Sequence, residues 1–90
     1  MQEDEKVDRT DDLVLQGRIE AGRVIAEMVR DAVADFSTQT GRRPETIVLP
    51  ASARSFFDCH AAYDRKYAGP WPMVRYLGCD FRYGPDFRIT

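Results

Sequence analysis

The chain has 90 residues, 43% of them hydrophobic and 31% charged, with a formal net charge of -2. That length makes one small domain, able to bury about 60% of the surface its unfolded chain exposes, and the composition is that of an ordinary globular protein. It excludes a membrane helix, because no apolar run approaches the ~20 residues required. The acidic start Met1-Gln2-Glu3-Asp4-Glu5 lacks the apolar core of a secretory signal, so the cytoplasm is the expected location.

The charge is unevenly placed. Residues 1–12 carry six acids and two bases, a net of -4, and the other 78 residues carry nine acids and eleven bases, a net of +2. Residues 1–11 therefore read as an acidic, flexible N-terminal tail ahead of a single α+β domain over residues 12–90.

A long helical pattern runs from about Asp12 to about Thr38. Thr10 or Asp11 can cap it, and Asp11 and Asp12 suit the positive end of its dipole. Its apolar positions include Leu13, Ile19, Val24, Ile25, Met28, Val29, Val33 and Phe36, which form one broad stripe from Ile25 onward. Arg23–Glu27 and Glu27–Arg30 are at ion-pairing spacing. Gly17 and Gly22 each weaken the helix by up to ~1 kcal/mol relative to alanine. They mark either a break near Gly17 or a close approach by another helix. Gly41 is placed to cap the C-terminus in the left-handed conformation, and Pro44 prevents the helix from resuming.

Thr46-Ile47-Val48-Leu49, bracketed by Pro44 and Pro50, reads as a strand. Its continuous hydrophobicity predicts a central strand covered on both faces. Ala51 to about Tyr63 follows as a short helix, with Pro50 at its start. Asp64 to Pro72 is a loop by composition. From Leu77 on, apolar and polar positions alternate, and Gly78 reads as a bulge or bend. Gly84-Pro85-Asp86 turns the chain into Phe87-Arg88-Ile89-Thr90. This predicts a C-terminal hairpin with Cys79, Phe81, Tyr83, Phe87 and Ile89 on one face and Asp80, Arg82 and Arg88 on the other. The expected fold class is thus α+β: a long N-terminal helix, a central strand, a short helix and a hairpin completing a three-stranded sheet.

The order of elements carries a resemblance. A helix leads to Gly41 and Pro44-x-x-Ile47-Val48-Leu49, then to a helix carrying Phe56, then to Leu77-Gly78 with an alternating strand and a short last strand. Over roughly residues 25–90 this resembles small bacteriophage and prophage proteins, and a segment of phage major capsid proteins. The chain is far too short to hold the capsid fold itself. The resemblance implies a mobile-element protein with an assembly or binding role, and it transfers no active-site residues.

No catalytic, cofactor or metal motif stands out. Cys59-His60 and Cys79-Asp80 offer four donors without the C-x2-C or H-x3-H spacing of a zinc site. A Cys59–Cys79 disulfide requires an oxidising compartment. His60, the only histidine, points about 100° away from its helix neighbour Cys59 and is poorly placed to deprotonate it. Reduced, buried thiols are the expectation for both cysteines. The glycines form no nucleotide fingerprint.

The informative surface feature is aromatic density late in the chain. A domain this small cannot bury Tyr63, Tyr67, Trp71 and Tyr76 together, and aromatics favour protein–protein contacts. The long helix, ~40 Å at 1.5 Å per residue, also exceeds what three short strands can cover. The reading is a non-enzymatic interaction or assembly module, a homo-oligomer or the binder of a protein partner, without cofactor. Its contact residues would be Leu13, Ile19 and Val24 on the helix and Tyr67, Trp71 and Tyr76 near the loop. The alternative is a nucleic-acid-binding accessory that uses Arg75, Arg82 and Arg88 with Tyr76 on an outer sheet face, although the sequence pI of about 5.3 is far from a basic signature.

Overall fold

A computed structural model describes residues 2–90, with side chains from residue 12 onward. Helix α1 (Gln2–Thr40) is followed by β1 (Thr46–Pro50), a 3-10 turn (Ala51–Ala53) and α2 (Arg54–Cys59). A π-helical turn (His60–Asp64) and strands β2 (Arg75–Tyr76), β3 (Cys79–Gly84) and β4 (Arg88–Ile89) complete the chain. The helical backbone of α1 extends beyond the expected start near Asp12. The flexibility expected of the acidic tail, residues 1–11, falls on positions whose side chains lie outside the described residues. As α1 is far longer than the rest, the molecule measures 59 × 23 × 23 Å.

The α+β class is as expected, but the sheet has four strands rather than three, in the order β2-β3-β1-β4. The expected hairpin between β3 and β4 is replaced by a split arrangement. Strand β1 sits between them, parallel to β3 with Ile47 opposite Phe81 and antiparallel to β4 with Ile47 opposite Ile89. The true hairpin joins β2 to β3, pairing Tyr76 with Cys79 and Arg75 with Asp80. Its two-residue turn is Leu77-Gly78, both at positive φ, +53° and +77°. Of the two expectations for Gly78, the bend between two strand segments holds and the bulge does not. A leucine in the left-handed region is costly. This one is held by Arg43, whose Nη2 donates to the Leu77 carbonyl at 3.0 Å, and by Arg75, whose Nη2 donates to the Gly78 carbonyl at 2.7 Å.

Both helices pack on one side of the sheet. Ala26 and Val29 from α1, Phe57 and Ala61 from the second helical segment, and Ile47, Leu49, Cys79 and Phe81 from the sheet form the buried core. Phe57 lies at its centre, stacked on Phe81 at 5.4 Å and met edge-on by Tyr76 at 5.1 Å. Helix α1 packs mainly against α2 and the π turn and touches the sheet less. Its closest approach is at Gly22, where a Cβ would strike the Phe56 carbonyl and come within 2.5 Å of His60 Cβ. Gly17 faces open space. Of the two explanations for these glycines, close helix approach holds at Gly22, and α1 is unbroken at Gly17. Arg23 pairs with Glu20 at 2.9 Å and reaches Asp64 at 3.6 Å, because the π turn brings that carboxylate beside it. The Gly41 cap forms as expected, with φ +73° and an N–H donated to the Ser37 carbonyl at 2.9 Å.

Strand β1 was expected to be covered on both faces. Ile47 and Leu49 face the helices, and Val48 is also buried, although no helix lies on its side. It is flanked in the ladder by Arg82 and Arg88, whose long stems shield apolar surface while their charges stay in water.

Tyr83 ties the sheet to α2. Its hydroxyl donates to Asp58 Oδ1 at 2.7 Å, and Arg54 lies over its ring and 3.5 Å from Asp58 Oδ2. Burial and the adjacent carboxylate push the phenol pKa well up. Tyr83→Phe should cost about 1 kcal/mol, read as a lower urea midpoint at unchanged slope.

Candidate functional site

Helix α1 is apolar on two faces. The first is the core face described above. The second runs Val14, Gly17, Ala21, Val24, Met28, with spacings of three, four, three and four, and is exposed except at half-buried Ala21. That alternation is the a/d spacing of a coiled-coil seam. It spans ~21 Å of helix at 1.5 Å per residue. Val14, Val24 and Met28 are exposed, with Leu13 beside them at 73% and Val24 itself at 64%. Gly17 leaves open space where a neighbouring backbone can come close. Glu27, Asp31 and Asp35 line the same groove as Val24, Met28 and Ala32, giving it an acidic border.

The residues expected to make contacts separate into two groups. Leu13, Val24 and Trp71 are exposed. Ile19 is 7% exposed and turned into the protein. Tyr76 packs edge-on against Phe57 and Phe81. Tyr67 is half-buried, donates its hydroxyl to the Pro70 carbonyl at 3.0 Å and meets Trp71 edge-on at 5.1 Å. Trp71 thus stands out of the loop on a Tyr67 support. Val14, Gly17, Ala21 and Met28 complete the helix face. The three-four alternation was present in the sequence, but the broad core stripe beside it masks a second, narrower seam.

Arg75, Arg82 and Arg88 do share the outer face of the sheet, as their ladder partners show. Arg75 is occupied by Asp80 at 3.0 Å. Arg82 and Arg88 have no ion pair among the described residues and line a groove of about 350 Å³ with Val48, Gly84 and Asp86. Tyr76 lies on the opposite, inner face and cannot join them.

His60 is 2% exposed, and neither ring nitrogen has a hydrogen-bond partner among the described residues. Asp64 Oδ2 lies 3.3 Å from its Nδ1 but out of line for a hydrogen bond. Burial lowers the imidazole pKa, against the opposing pull of Asp64. Cys79 is buried and its thiol donates to the Pro44 carbonyl at 3.2 Å. Cys59 is half-buried, and both thiols are free. Among the described residues no three His, Cys, Asp or Glu side chains gather as metal ligands, and no helix is long and apolar enough to cross a membrane.

Comparison of the chain with protein-family models, with curated proteins and with solved structures finds no match.

Proposed function

We propose that this protein is a non-enzymatic assembly module that associates through the second face of α1, with another copy of itself as the occupant. The observation that carries this reading is the exposed seam from Val14 to Met28. A face with that repeat is covered by a helix of the same repeat, and within this chain α1 alone supplies one. A parallel pairing suits its charges. In an antiparallel pair the Glu20 and Glu27 flanks would face each other, whereas a parallel pair sets them against Ile25 and Ala32. Trp71, held out from the loop, offers a separate anchor for a further protein partner. An assembly role is also what the resemblance to phage-encoded proteins implies.

The test is sedimentation velocity of the wild-type chain and of Val24→Asp/Met28→Asp, both exposed positions that the monomer fold does not need. The wild type should dimerise, and the double variant should weaken association by roughly a hundredfold or more, since it removes several kcal/mol of apolar burial. A wild type that stays monomeric at high concentration would sink the proposal.

Nucleic-acid binding remains the second reading, supported by the adjacent Arg82 and Arg88, neither of which has an ion pair among the described residues. Single strands are held by stacking on aromatics as well as by charge. The outward ladder positions Thr46, Val48, Asp80, Arg82 and Arg88 include no aromatic, so the helix face is the stronger candidate.

A further inference from the structure

A second site is independent of the α1 face and shares no residue with it. Where the π turn meets the β2–β3 hairpin lies a cavity of about 370 Å³, walled by Phe57, Ala61, Met73 and Leu77 and carrying His60, Arg65 and Tyr76. We propose that it binds a small organic carboxylate with a flat apolar body.

Three observations converge on that ligand. The walls are mostly aromatic and aliphatic, and the volume falls in the range of small-molecule pockets. Two groups in the lining are polar and unpaired. The His60 ring nitrogens and the Tyr76 hydroxyl have no partner among the described residues, and each of these atoms is buried. Buried donors left unpaired are uncommon and costly, and a carboxylate accepts from both a phenol and an imidazole N–H. Third, a cation stands at the cavity: Arg30 and Arg65 both act on His60 and Tyr76, while Asp64 pulls His60 the other way and Arg23 is taken up by Glu20 and Asp64. Of these, Arg65 lines the cavity, is exposed and has no ion pair among the described residues, which leaves its planar fork free for a carboxylate. The π turn that places His60 and Arg65 here is itself a geometry common at functional sites.

The ligand's carboxylate would engage Arg65 and accept from Tyr76 and His60 as the lining yields. Its body would lie against Phe57 and Met73. Since His60 is the only histidine, its imidazole resonances report on the site without assignment ambiguity. Phenylacetate titrated into the full chain should shift those resonances saturably. Phenylacetamide, of the same shape but neutral, should bind about tenfold more weakly, and acetate, with the charge but no ring, at least as poorly. Arg65→Gln, at an exposed position, should weaken phenylacetate about tenfold with the fold intact. Tyr76→Phe keeps the ring and should weaken it severalfold. A shift that does not saturate, equal binding of the amide, or unchanged phenylacetate affinity in both Arg65→Gln and Tyr76→Phe would each overturn the assignment.

Discussion

Gly22→Ala is expected to destabilise the domain by about 2–3 kcal/mol, while Gly17→Ala in the same helix should stabilise it by up to ~1 kcal/mol. The two substitutions are chemically identical and carry the same gain in helix propensity. They differ in what the new methyl meets. At position 17 it meets nothing within 4 Å. At position 22 it meets the Phe56 carbonyl carbon at 2.9 Å and His60 Cβ at 2.5 Å. Backbone atoms cannot rotate aside, so α1 and α2 must separate, and the cost spreads to Phe57 and the core behind it. For a chain of this size the thermal midpoint should fall by roughly 10–20 °C for Gly22→Ala and rise by a few degrees for Gly17→Ala. Thermal melts at concentrations too low for association would measure both. Equal effects at the two positions would refute the close helix crossing.

Ile47→Asp is expected to leave the chain unfolded. Ile47 is 0% exposed and pairs with Phe81 on one side and Ile89 on the other. A carboxylate there has no partner and must either lose its charge or break the core. A domain of this length has about 5–13 kcal/mol of stability in total. Loss of isoleucine burial together with an unpaired buried charge consumes most of that. Far-UV circular dichroism should show residual helix without cooperative melting. Val48→Asp, one residue away, is the informative companion, because Val48 faces outward between Arg82 and Arg88 and should be far better tolerated.

The elements visible in the sequence are those whose evidence is local. The long helix, the Gly41 cap, the Thr46–Leu49 strand and the short helix after Pro50 all follow from periodicity and from glycine and proline. Strand pairing did not, since it depends on contacts between distant segments. Leu77-Gly78 shows why. Leucine disfavours positive φ, so the pair does not resemble a hairpin turn. It becomes one because Arg43, far away in sequence, holds the Leu77 carbonyl. The same limit applied to the sites. Leu13 and Val24 were legible as apolar residues to spare, but the seam that holds Val24 and runs beside Leu13 is distinct from the core stripe only once α2 has claimed one side of α1. In the sequence His60 is only a lone histidine poorly placed to activate Cys59, and Tyr76 a surface aromatic. Only the packing of the π turn against β2 brings them together, beside Arg65, in one cavity.

The position of β1 between β3 and β4 fixes an order of assembly. During synthesis from the N-terminus, α1, β1 and α2 emerge first, and the α1–α2 contacts around Gly22 are available at once. Neither neighbour of β1 exists yet. Strand β3 comes late, and the other edge closes only when Glu45 and Thr46 exchange backbone hydrogen bonds with Thr90 at 3.3 and 3.1 Å. Until then the most hydrophobic segment of the chain carries two open edges and, once β3 has paired, still one, the condition in which strands pair with the wrong molecule. Early docking of the two helices over Ile47 and Leu49 would shield its faces but not those edges. The exposure of β1 to mispairing is therefore set by how quickly β3 and β4 reach it, and the helices can shorten that interval only by holding β1 ready for them.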